Sequence, residues 1–135
     1  MSNNSNRSVK LAALGIVLTH LVISMVHGRA HQGALVALTT FGYFYVLVVI
    51  TVAPLVAVAL LFSRKQKIGA SLLALSMLGG FAFGVWYHFV SAGNDNVAEV
   101  HGGWHTTFLW TAIALAILEF LGMIVGMAIY RSSAR

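Results

Sequence analysis

Residues 34–62 contain no charged side chain. A helix needs about 20 consecutive apolar residues to cross the hydrocarbon core of a bilayer, and this run exceeds that length. Three more runs of similar character follow the same rule, at residues 9–31, 68–90 and 97–130. Inside hydrocarbon each backbone N–H and C=O must find its partner within the segment or in a closed barrel, and runs this long can do so only as α-helices. The expected fold class is therefore an all-α integral membrane protein with four transmembrane helices.

Composition agrees with that reading. Hydrophobic residues make up 59% of the chain and charged residues only 8%, whereas an ordinary soluble domain carries about 25% charged residues. So few charges cannot cover a water-facing surface, and most of the exterior is expected to meet lipid. The net charge is +5, yet the basic residues lie at the ends of the apolar runs or between them, where topology places them. No nucleic-acid partner is expected. The chain has no cysteine, which excludes disulfides, thiolate metal sites and cysteine nucleophiles.

The connections are short, so consecutive helices are expected to run antiparallel in an up-down-up-down bundle. One turn falls around Gln32 and Gly33, a second at residues 63–67, and a third in the Gly/Asn/Asp stretch of residues 91–96. Residues 9–131 form a single four-helix domain in this reading. Residues 1–8, rich in Ser and Asn, are expected as a disordered cytoplasmic tail, and residues 132–135 as a second cytoplasmic tail. The first apolar run carries His20 and lacks a small-residue cleavage site, so it reads as a retained span rather than a signal peptide. Pro54 lies within the second helix and is expected to kink it. Asn96-x-x-Glu99 has the form of a capping box opening the fourth helix.

Orientation follows from the Lys/Arg bias. Arg7, Lys10, Arg64, Lys65, Lys67, Arg131 and Arg135 lie on the side of the two termini; Arg29, Asp95 and Glu99 lie on the other. Both termini are expected in the cytoplasm, in a multi-pass protein of the cell (inner) membrane. Trp86, Tyr87 and Trp104 then form an aromatic belt at the periplasmic or outer boundary. Gly80-x-x-x-Gly84 and Gly122-x-x-x-Gly126 offer faces for close packing inside the bundle.

Five of the six histidines gather at that outer boundary. His27 and His31 close the first helix, His88 closes the third, and His101 and His105 open the fourth. Residues four apart share one helical face, so each H-x-x-x-H pair aims two imidazoles at one point. His20, Ser24, His27 and His31 fall within an arc of about 60° and form a polar stripe facing the bundle interior. Imidazole suits Zn, Cu, Fe and Ni. The leading expectation is a transition-metal site, Cu or Zn first and Fe next, built from His27, His31, His88, His101 and His105. Asp95 and Glu99 stand nearby, but a turn and a capping box account for them.

Two further readings compete. One is a small b-type cytochrome, with His27 or His31 opposite His101 or His105 holding haem b and electrons passing to or from quinol; it leaves three histidines unexplained. The other is a non-catalytic assembly or interaction subunit whose histidines merely sit at the interface. The working role is metal handling, or an accessory subunit beside other membrane subunits or a periplasmic redox partner. Deeper in the bundle, His20 lies about 16 Å below His31 and Glu119 about 21 Å below His105, at 1.5 Å per residue. They are expected to meet as a buried polar pair, as a proton relay, a second ligand pair or a register-fixing contact. Lys10 stands at the very edge of the first run and Lys65 and Lys67 lie between runs, so no lysine reaches the bundle interior for a retinal Schiff base. No P-loop, G-x-S-x-G, H-E-x-x-H or Rossmann fingerprint occurs.

Overall fold

The computed structural model describes residues 3–133. Among these residues all regular structure is helical, and four helices are long and apolar enough to cross a membrane. They are α1 (Asn3–Gly33), α2 (Thr40–Leu61), α3 (Gln66–Val90) and α4 (His105–Ser133). Helix α1 packs on α4, α4 on α3, α3 on α2, and the second half of α2 returns to α1. Large apolar side chains face outward on every helix, among them Leu18, Val22, Phe44, Leu47, Leu75, Trp110 and Ile117.

Several boundaries differ from the sequence reading, each for a local reason. Helix α1 begins at Asn3, so residues 3–8, expected as tail, continue the helix, while Met1 and Ser2 lie outside the described residues. At its other end α1 closes in a Schellman motif. Val36 N–H donates to His31 O at 2.9 Å and Leu35 N–H to Gln32 O at 3.2 Å. The motif needs a left-handed residue between helix and strand-like exit, and Leu35 supplies it at φ +57°. The second helix therefore starts at Thr40 rather than at residue 34. Thr39 caps it, its hydroxyl accepting from Gly42 N–H at 3.1 Å.

Pro54 acts before its own position. Its missing N–H and its ring displace the carbonyl one turn earlier, and the helix widens to a π-helical stretch over Val46–Val52. Within it the Thr51 hydroxyl donates to Val46 O at 2.9 Å, occupying a carbonyl of the widened turn. A second π-helical stretch, Trp86–Val90, closes α3 and carries His88.

The capping box at Asn96 does not open a helix. Asn96 Oδ1 accepts from Ala98 N–H at 3.0 Å and Asn96 O from Glu99 N–H at 2.9 Å, closing an isolated turn. Gly102 then sits at φ +86°, a conformation that ends any right-handed run through it. Helix α4 consequently starts at His105, eight residues after position 97.

Two apolar clusters hold the ends. Ala13, Val17, Ala57, Val58, Leu61, Ala70, Leu73, Met77 and Ile129 form the larger one, near the termini. Ala30, Val36, Val100 and Phe108 form the smaller one, at the histidine end. Both glycine pairs serve contact between α3 and α4. A Cβ at Gly126 would stand 2.7 Å from Ala74 N, and one at Gly80 would stand 2.6 Å from Glu119 Oε1. Such close approach is what joins apolar helices where they stand in lipid, since van der Waals packing and hydrogen bonds then replace the hydrophobic drive.

Candidate metal centre

Three of the expected ligands converge. His27 and His31 come from consecutive turns of α1, His88 from the π-helical end of α3, and all three are buried. One ligand atom from each lies within 4.8 Å of the other two. Phe108 of α4, fully buried, backs the group with its ring centroid 4.9 Å from His27, 4.8 Å from His31 and 5.3 Å from His88.

The hydrogen bonds around the triad decide which nitrogen of each ring is free. His27 Nδ1 lies 2.8 Å from Thr111 Oγ1, whose own hydroxyl donates to Thr107 O at 2.6 Å. With that hydroxyl assigned to Thr107 O, Thr111 accepts from His27 and the His27 proton is assigned to Nδ1. His31 Nδ1 meets Val36 O at 3.3 Å, and His88 Nδ1 meets Asp95 O at 3.0 Å. A carbonyl only accepts, so both rings carry their proton on Nδ1 as well. In the neutral rings all three Nε2 atoms then present lone pairs.

Two of these lone pairs face each other at close range: His27 Nε2 and His88 Nε2 are 3.2 Å apart. With both protons assigned to Nδ1, a cation between the two nitrogens would turn this approach into a favourable one; with His27 protonated on Nε2 it is a hydrogen bond. Ligand nitrogens 2.0–2.1 Å from a tetrahedral ion stand about 3.3 Å apart, so His27 and His88 already have ligand spacing, and a ligand atom of His31 lies within 4.8 Å of both. Each Nδ1 donates to an oxygen, the outer support that fixes tautomer and ring orientation in metal-binding histidines.

Asp95 completes the electrostatics. Its Oδ1 stands 3.4 Å from His31 Nε2 and 3.1 Å from His88 Nδ1. Neither approach is a hydrogen bond: the His88 Nδ1–H points to the Asp95 carbonyl, and Asp95 Oδ1 is buried without a partner. A buried, unsatisfied carboxylate oxygen is costly unless a cation or donor meets it. The three imidazoles could hold one metal ion, and Asp95, outside that group, adds negative charge beside His31 and His88.

The other expected ligands stand elsewhere. His101 is exposed in the connection before α4, and His105 is half-buried at the first residue of the helix. The late start of α4 removes the helical relation that would have put the two on one face. Neither belongs to the converging group among the described residues. Glu99 is exposed in the same connection. Deeper, His20 Nε2 meets Glu119 Oε1 at 3.2 Å, with both side chains buried between α1, α4 and the Gly80 notch of α3.

No protein-family model, curated protein or solved structure matches this chain. Its chemistry is therefore read from the side chains alone. Those that the sequence left unremarked are Phe108, Thr111 and the carbonyls of Val36 and Asp95. Phe108 and Thr111 lie three apart on one helical face, a pattern indistinguishable from ordinary packing. No residue type marks a carbonyl in advance.

Proposed function

We propose that this chain is an integral membrane protein, an up-down four-helix bundle with both termini cytoplasmic, that binds a transition metal ion through His27, His31 and His88 at its periplasm-facing end. The convergence of three buried imidazoles, each with its Nδ1 against an oxygen, carries the reading. Asp95 is the fourth donor or the counter-charge. An imidazole-rich set favours Cu or Zn, with Fe next because one carboxylate adjoins it. His101 and His105 remain outside the donor set. The role is metal handling, or service as an accessory subunit of a membrane redox complex.

Protein purified in mild detergent without chelators tests this by elemental analysis and an optical spectrum. Stoichiometric metal is expected, lost in His27→Ala and His88→Ala and retained in His105→Ala. A Soret band would replace this reading with the b-type cytochrome. Metal content unchanged by both triad variants would overturn the shared site. Metal-free protein would leave an assembly or interaction role.

A further inference from the structure

A cavity of about 460 Å³ adjoins the triad and runs inward to Glu119. That volume lies within the range of about 300–1,000 Å³ typical of small-molecule sites. The lining residues divide by exposure. Gly28, Gln32, Leu35, Ala37 and Tyr43 are exposed and form the mouth, on the side of α1, the 34–39 connection and α2. None of them is charged, so the mouth admits a neutral molecule at no electrostatic cost. The walls further in are largely apolar, with Val46, Ile50, Phe83 and Leu115 among them.

The polar groups inside stand in two stations and are mostly acceptors. The first consists of the triad nitrogens and Asp95 Oδ1, which has no hydrogen-bond partner. The second is Glu119, whose Oε1 takes the His20 ring, with Ser24 Oγ buried and unpartnered on the same cavity. Gly84 lines the cavity between the two stations. A Cβ there would lie 3.8 Å from Glu119 Oε2 and 4.0 Å from His88 Cδ2. Tyr43 and Phe83 contribute aromatic faces to the lining.

We propose that this cavity binds a neutral, lipid-soluble aromatic diol of the hydroquinone class, one hydroxyl at the histidine–Asp95 station and the other at Glu119. Apolar walls and aromatic faces take the ring and its tail, and two separated acceptor stations take two donors. With metal in the triad, the first hydroxyl oxygen is positioned as an added ligand while its proton meets Asp95. The inference rests on the metal reading only for that added bond; the surplus of acceptors stands without it.

Decylhydroquinone titrated calorimetrically into the purified full chain is the test, with metal content measured on the same samples. Saturable binding is expected for the wild type. The dimethyl ether of decylhydroquinone, which has no donor, should bind about 10-fold or more weakly, the loss of a hydrogen bond to a charged group. Gly28→Phe, at a position whose Cβ meets nothing within 4 Å, and Ile50→Trp should both block binding while metal content is unchanged. Equal affinity for the ether, or undiminished binding in both blocked variants, would overturn the proposal. Metal-loaded wild type that takes no hydroquinone sinks this inference alone. Metal-free protein that still binds hydroquinone sinks the metal reading alone.

Discussion

Histidine is both the commonest biological metal ligand and a costly residue to place in a membrane span. What distinguishes His27, His31 and His88 from interfacial histidines is the bond on the far side of each ring. Thr111→Val removes the acceptor for His27 Nδ1 while keeping the side-chain shape. Metal affinity should fall about 10–100-fold, the usual cost of losing such a support, as read by competition with a chromophoric chelator. Protons compete with metal for the same Nε2 lone pairs, so acidification should release the ion and return to neutral pH should restore it. A metal content independent of pH would place the ion elsewhere. Leu35 offers a test of stability at the same scale. A leucine held at φ +57° is strained where glycine is not, and Leu35→Gly should raise the unfolding free energy by about 1 kcal/mol. That His27 and His31 share one face was legible because four-residue spacing on an uninterrupted helix settles it. The carbonyls that orient His31 and His88 were not, since a chain reversal and a loop deliver them.

Among the helices, the contact between α3 and α4 is the one most dependent on missing side chains. Gly126→Ala would put a methyl group 2.7 Å from the Ala74 backbone nitrogen, and should cost about 1–3 kcal/mol in thermal unfolding measured in detergent. Gly28→Ala, with open space at its Cβ, should be neutral or slightly stabilising, and equal losses in the two would refute the packing argument. The His20–Glu119 contact joins α1 to α4. Leaving one partner of a buried hydrogen bond unsatisfied costs about 1–3 kcal/mol, whereas replacing both with apolar residues can be nearly neutral. Glu119→Leu should therefore destabilise, and His20→Leu combined with it should recover much of the loss. The glycine pairs could be read as packing faces from their four-residue spacing. Their partners could not, because helix rotation is settled by the whole set of contacts. The start of α4 was misplaced for a similar reason: apolarity continues through residues 97–104, while Gly102 at φ +86° stops the helix.

For the whole molecule, the bias of Lys and Arg toward one end predicts cytoplasmic termini, an orientation that labelling can test. The absence of native cysteine makes sidedness directly measurable with single substitutions. Ala98→Cys, at the histidine end, should react with a membrane-impermeant maleimide in intact cells. Ser63→Cys, in the connection between α2 and α3, should react only after permeabilisation. The reverse pattern would turn the bundle over and put the triad toward the cytoplasm. The sequence alone determined the number of apolar helices and the polar stripe on the first. Both are local properties, set by hydropathy and by 3.6-residue periodicity along one segment. Only the tertiary structure decided that His88 joins His27 and His31 while His101 and His105 stay apart. That choice depends on where turns compete successfully with helix, and on how close the glycine notches let the helices approach. Neither is encoded within any one segment.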